Sequence, residues 1–235
     1  MRLIEIKEVK GTIELLSGLH IGMGKDDMEI GGVDSPVIRN QLRNNTPYIP
    51  GSSLKGKMLH LLQLQCGISN SKGIDLAAIM QSNDEQLRRL AQLFGYSAGD
   101  ELLTSMSEVQ KLELANTIGP SRLIFFDCPL SQESVIAMRQ IGLSQFTELK
   151  KETAIDRLTG TAKGGSLRTI ERVPAGAKFD FQINIKIMEG DIQPDQSHPL
   201  FHHLQQGLNL LQLDSIGGSG SRGYGKIKIH LHESQ

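Results

Sequence analysis

The order of hydrophobic patterns along this chain predicts an α+β fold built on a ferredoxin-like core. Three observations lead there. Apolar residues alternate with polar ones in Val9, Gly11, Ile13 and Leu15, and again in Phe179, Phe181, Ile183, Ile185 and Ile187, the period of half-buried strands. Leu54, Met58, Leu61 and Leu62, and later Leu200, Leu204, Leu208 and Leu211, recur at the spacing of one buried helical face. Shorter strands at Arg122 to Phe126 and at Ile227, Ile229 and Leu231 complete the order strand, helix, strand, strand, helix, strand.

After the first strand comes His20, in Ser17-Gly18-Leu19-His20-Ile21-Gly22. A lone histidine after a strand is commonly a hydrogen-bonding residue. Acid–base chemistry is the alternative. Asp34 follows in Gly31-Gly32-Val33-Asp34-Ser35-Pro36, a loop. The commoner role for such an aspartate is to close an Asx-turn.

The helix predicted over 52–65 opens in Pro47-Tyr48-Ile49-Pro50-Gly51-Ser52-Ser53-Leu54-Lys55-Gly56-Lys57. Proline and glycine stop the preceding segment and Ser52 can cap. Lys55 and Lys57 lie against the positive end of the helix dipole, where an anion docked on free amides would make them welcome. The plainer reading is an amphipathic helix with solvated lysines. A charge pattern adds weight to the anion. From Ser35 to Ile74 the basic residues are Arg39, Arg43, Lys55, Lys57 and Lys72, with no Asp or Glu. The whole chain, at 25 Lys+Arg against 26 Asp+Glu, is nearly neutral, so a basic face must arise by segregation.

Residues 66–120 are predicted to form a partly helical insertion, with a helix over 83–95 carrying Leu87, Leu90, Ala91 and Phe94 on one side and a glycine cap. Polar residues and the turn signals Thr159-Gly160 and Gly164-Gly165 make 146–178 an extended hairpin or mobile loop. The last connection, Gly217-Gly218-Ser219-Gly220-Ser221-Arg222-Gly223-Tyr224-Gly225, has five glycines in nine residues. Its amides, serine hydroxyls and arginine read as a phosphate-binding nest. The alternative is a flexible surface turn.

At 235 residues the chain is one elaborated domain, 1–235, rather than two. Cys66 and Cys128 stand far apart without a CxxC or a histidine at ligand spacing, which excludes a disulfide framework and leaves no structural zinc to expect. No stretch has the length of a membrane span or the apolar core of a signal peptide, so a cytoplasmic protein without a membrane partner is expected. Seven Phe, three Tyr and no Trp leave few stacking platforms. Bound RNA would then be held mainly by phosphate and sugar.

Taken together and in order, the LHIG block with His20, GGVDSPVIR from Gly31, PYIPGSSLKGK, GPSRLIF from Gly119, IERVPAG from Ile170 and GGSGSRGYG resemble the RAMP superfamily of CRISPR proteins. Within it the pattern is similar to the repeated backbone subunit of the type III-A (Csm) interference complex. The stretch from Gly99 to Thr117 has no match.

The resemblance implies an RRM-like core with a helical lid and a thumb-like hairpin, polymerising head to tail along a CRISPR RNA (crRNA). It implies single-stranded target RNA, further copies of itself and other Csm-type subunits as partners. Asp34 takes the place of the catalytic residue for metal-dependent cutting, with a divalent ion, Mg²⁺ or Mn²⁺, as cofactor and Asp34 as its ligand. The guide-holding residues correspond to His20, Ser52, Ser53, Lys55, Lys57, Gly218, Ser219, Ser221 and Arg222. The thumb corresponds to the stretch around Ile155-Asp156-Arg157, which adds Arg157 and Arg168 to the RNA contacts.

Three rivals remain. Gly51 to Lys57 satisfies GxxxxGK, and Leu123 to Asp127 imitates a strand ending in a magnesium-binding acid. Met58 stands where a P-loop needs Ser or Thr, and Pro47 and Pro50 interrupt the strand that should precede it. A non-catalytic RNA-binding backbone subunit shares every binding residue with the nuclease. A guide-processing endoribonuclease of the same superfamily also ends in a glycine-rich loop, but the GGVDSP and SSLKGK blocks of this chain resemble the backbone subunit instead.

Overall fold

A computed structural model describes residues 2–23, 35–67, 74, 79, 84–96, 101–191 and 198–232. Asp34, the start of the GGVDSP block and Lys72 lie outside the described residues.

Strands β1 (Leu3–Leu15), β4 (Leu123–Phe125), β8 (Lys178–Met188) and β9 (Ile227–Leu231) form an antiparallel sheet in the order β4-β8-β1-β9. The alternation seen in the sequence sets its register. Ile13 lies opposite Phe179 and Ile229, all on the core side, whereas Thr12 and Glu14 face Asp180 and Lys178 on the polar side. β1 starts at Leu3, six residues before the predicted strand, because the long β8 continues to pair with it through Met188. Its first residues are exposed, which is why no alternation marks them.

Helices α1 (Gly51–Gln65) and α6 (Pro199–Leu213) belong to the same core as this sheet, through Leu54, Met58, Leu62, Leu200, Leu204, Leu208 and Leu211. Each such buried side chain stabilises the fold by about 1.5–3 kcal/mol. The two helices approach closely at Gly207, where a methyl group would stand 2.6 Å from Met58 Cγ.

Helices α2 (Glu85–Phe94), α3 (Glu101–Ser105) and α4 (Glu108–Thr117) come next. Asp84 caps α2 by accepting from the Gln86 and Leu87 amides, and Gly95, at φ 81°, ends it. Arg122 of the GPSRLIF block is buried. Its guanidinium forks onto Asp191 at 2.9 and 3.0 Å and also donates to the Ile118 and Pro120 carbonyls. It is therefore a structural arginine, tying the entry of β4 to the exit of β8.

Strands β2 (Arg39–Asn40), β3 (Thr46–Ile49) and β5 (Cys128–Pro129) make a small second sheet, and α5 (Gln132–Gln140) follows, capped by Ser131. The sequence reading missed these. Pro47 sits inside β3, where two prolines argued against a strand, and it is tolerated because the pairing is only two residues long on the β2 side. Finally β6 (Glu148–Glu152) and β7 (Arg168–Arg172) pair as an antiparallel hairpin.

Candidate nucleic-acid interface and cleavage site

Three chain segments are zipped together below the sheet's end. Leu19 bridges Val173, Gly22 bridges Val37, and Ser35 runs parallel to Ile170. His20 lies between them. Its Nδ1 is 2.7 Å from the Glu171 carbonyl oxygen, an acceptor, so Nδ1 carries the proton. In the neutral ring Nε2 is then free to accept from the Ser35 hydroxyl, 3.2 Å away. Both ring nitrogens thus have partners inside the protein, and through Nε2 the ring holds Ser35. Ser35 is the residue that follows Asp34.

Beneath this zipper is a buried ion pair that sequence reading did not identify. Glu171 Oε2 accepts from the Val37 amide at 2.8 Å, and Oε1 accepts from Thr147 Oγ1 at 2.7 Å and from the Arg39 guanidinium. Arg39 also donates to the Asn45 and Gln145 carbonyls. Burial pushes the Glu171 carboxyl up, but the hydrogen bonds from Thr147, Val37 and Arg39 outweigh it and hold the group below its ordinary value. Arg39, counted from the sequence toward a basic face, is therefore an internal clamp on residues 35–37. The signal for Glu171 was present only as an acid in the IERVPAG block.

The glycine-rich loop closes the site from the other side. The Gly218 amide donates to the His20 carbonyl at 2.8 Å, and the Gly225 amide to that of Gly18 at 3.0 Å. Gly217, at φ 72°, passes so close that a methyl group would stand 2.5 Å from the His20 oxygen. Arg222 and Gly223 amides bond back to Ser219 and Gly220, forming a 3₁₀ turn over Gly220–Arg222. The expected nest of free amides is corrected accordingly, because four of them are already bonded within the protein. Neither is the loop a slack turn. What it offers outward is Gly218, Ser221 and the Arg222 side chain, which bonds to Ser219 Oγ.

α1 begins at Gly51 with Pro50 as its cap, and no side chain caps it, which corrects the reading of Ser52. The Gly51 amide instead donates to Asp127 Oδ1 at 2.9 Å, a carboxylate at the positive end of the helix. Asp127, the imitation of a magnesium-binding acid, is thereby occupied as a helix anchor. Ser52 is exposed, Ser53 and Lys55 half-buried. Lys57 Nζ pairs with Asp214 at 2.8 Å, at the end of α6, and holds that carboxyl below its ordinary value. The pair ties the SSLKGK block to the entry of the glycine-rich loop.

The hairpin stands apart from this cluster at its tip and joins it at its root. Arg157 is exposed beside Leu158, and Arg168 pairs with Glu152 at 3.0 Å. The acids of the two hairpin strands are all engaged. Glu148 pairs with Arg172 at 2.7 Å, Glu152 with Lys150 and Arg168, and Glu171 with Arg39. Among the described residues no group of three His, Cys, Asp or Glu side chains is arranged to hold a metal ion, and no helix is long and apolar enough to cross a membrane.

The sequence model of the RAMP superfamily matches residues 12–228. A protein named CRISPR system Cms endoribonuclease Csm3 from Mycobacterium tuberculosis is 35% identical over 231 residues, covering 94% of this chain and 85% of its own length. Its namesake from Streptococcus thermophilus is 38% identical over 215 residues, covering 92% and 83% respectively. That of Methanocaldococcus jannaschii is 35% identical over 221 residues, covering 94% and 77%.

Proposed function

The chain belongs to the RAMP superfamily, and on that footing we propose that it is an RNA-guided endoribonuclease: the backbone subunit of a Csm-type CRISPR complex, which lies along crRNA and cuts the paired target RNA. The observation that carries this reading is the convergence on His20. Ser35, Glu171 and Gly218 come from blocks far apart in the chain, all bond to this one residue, and Ser35 directly follows Asp34 in the sequence.

The strand order β4-β8-β1-β9, antiparallel throughout, with α1 and α6 as the two crossovers, supports the ferredoxin-like core. The helices α2 to α4 support the lid, and the β6–β7 hairpin with its exposed tip supports the thumb. Further copies head to tail, other Csm-type subunits and single-stranded target RNA are the partners this reading requires, since one groove covers only a few nucleotides.

In the proposed reaction the target RNA's own 2′-hydroxyl gives up its proton to water as its oxygen attacks the adjacent phosphorus, and the departing 5′-oxygen takes a proton from water, giving a 2′,3′-cyclic phosphate and a 5′-hydroxyl. Asp34 orients that 2′-hydroxyl. A divalent ion, Mg²⁺ or Mn²⁺, would be held by Asp34 and would supply charge neutralisation, whereas Glu148, Glu152 and Glu171 are already paired with arginine or lysine. The protein's contribution is position. His20 holds Ser35, and Glu171 with Arg39 holds Val37, so the segment leaving Asp34 is anchored at both points. Ser52, Ser53, Lys55, Lys57, Ser219, Ser221 and Arg222 grip the guide backbone, and Arg157 reaches the duplex from the hairpin tip.

The test compares the guide-loaded complex with its Asp34→Ala variant, with Mg²⁺ and with EDTA. Loss of regularly spaced cuts in the variant and in EDTA, with target binding kept, is the expected result. Regular cutting by Asp34→Ala moves the chemistry to another residue, and a wild type that binds without cutting makes the chain a structural subunit.

A further inference from the structure

Tyr224 is the one aromatic residue of the glycine-rich loop and is 1% exposed. Its hydroxyl donates to Glu152 Oε1 at 2.7 Å, 72 residues away in the chain. One cation from each strand of the hairpin lies over its ring, Lys150 Nζ at 4.5 Å and Arg172 Cζ at 5.1 Å from the centroid. The same cations are neutralised by the hairpin's own acids, Lys150 by Glu152 at 3.3 Å and Arg172 by Glu148 at 2.7 Å. Arg168 closes the set on Glu152 at 3.0 Å. The Tyr224 hydroxyl, ahead of Arg168 and Lys150 and against the effect of burial, holds the Glu152 carboxyl down at about 2. The charges at the hairpin root are thus organised around a side chain of another element.

That element is itself fastened to the site. Its Gly218 amide bonds to His20, and its Gly225 amide to Gly18, over which the Arg172 guanidinium lies so closely that a methyl group there would stand 2.5 Å from Arg172 Cδ. A tyrosine whose ring only filled space would leave its hydroxyl to solvent. Here the hydroxyl meets a carboxylate that is already paired twice.

We propose that the Tyr224–Glu152 contact is a positioning latch that locks the hairpin to the glycine-rich loop, so that RNA held by the loop and RNA met by the hairpin stand in one fixed register with Ser35. This rests on the endoribonuclease reading above. Tyr224 is a positioning residue, acting through the hairpin, and its removal shifts where cutting falls more than whether RNA binds.

The experiment uses the guide-loaded complex with wild-type, Tyr224→Phe and Glu152→Gln chains. It measures amide hydrogen exchange over 148–172, target binding and the position and rate of each cut. Tyr224→Phe keeps the ring and the fold. It should speed exchange in the hairpin about tenfold, the worth of a hydrogen bond to a charged group, while β1 and β8 amides stay unchanged. Target affinity should stay within about twofold, while cuts spread to neighbouring phosphodiesters and the main one slows about tenfold. Glu152→Gln keeps an acceptor for the phenol but gives up the ion pairs with Lys150 and Arg168, so hairpin exchange should rise at least as much as in Tyr224→Phe. Wild-type exchange in Tyr224→Phe overturns the latch, and so does faster exchange with unchanged cut positions and rates. A wild type that does not cut sinks the endoribonuclease reading, and the exchange data still decide the latch.

Discussion

In the loop from Gly217 to Gly225, a methyl group on Gly225 would stand 1.9 Å from the Ile216 oxygen and one on Gly217 2.5 Å from that of His20. In the hairpin tip, Gly160, Gly164 and Gly165 have nothing within 4 Å among the described residues, and Leu158 is 98% exposed. Both regions announce themselves in sequence by the same signal, clustered glycine with polar neighbours. In the first, Gly217, Gly220 and Gly225 are there for want of space, while Gly223 is open and serves its left-handed turn. In the second, glycine serves the turn alone, at φ 70° and 73° in Gly160 and Gly165. The packed loop is bonded to the segment around His20 through the Gly218 and Gly225 amides. The open tip is a probe extended from it, held by its own bonds, such as Asp156 Oδ1 accepting from the Leu158 and Thr159 amides.

The contrast predicts a graded response to substitution. Gly225→Ala combines a left-handed φ of 69° with the clash on Ile216, and should cost about 3 kcal/mol, a Tm lower by roughly 6 to 12 °C. An unchanged Tm by calorimetry would mean that the loop is as free as the tip.

Acid titration probes the junction between the two regions. Glu152 falls from an ordinary 4.5 to about 2 in the folded chain, and Glu171 is lowered too. A carboxyl depressed by folding contributes stability that is whole above pH about 4.5 and is lost as the pH falls toward the folded value. The urea midpoint should therefore show no contribution from these groups' titration between about pH 6 and 8 and decline below about 4.5. Glu152→Gln should flatten that decline, and an identical acid slope in the variant would show that the root carboxylate is not held as described.

The smallest effect belongs to the tip. Gly164→Ala, with ordinary φ and open surroundings, should shift stability by less than about 0.5 kcal/mol in either direction, read from the same urea curves.

Much of the fold was legible because its signals are local. The periods of β8, α1 and α6 are produced by neighbours on one face, and their predicted spans agree with the structure to within a residue or two. The small sheet of β2, β3 and β5 was not legible, since two-residue strands carry no period. At the site, the blocks with His20, Lys57 and the glycine-rich loop stood out individually. Their partners did not. Glu171 meets Arg39 across 132 residues and Tyr224 meets Glu152 across 72, and nothing in the neighbourhood of either acid names its partner.

The order of the core strands and helices, the run of basic residues without acids over 35–74 and the family the blocks resemble could all be read from the amino-acid sequence alone. Patterning within one segment suffices for each of these. Only the tertiary structure decided which charges remain for RNA. Arg39 and Arg122 carry the same formal charge in the sequence as Arg157 or Arg222, yet both are withdrawn into ion pairs, with Glu171 and Asp191. A charge withdrawn from water must find its counter-charge or donor in three dimensions. That pairing is settled by packing, after the chain has folded.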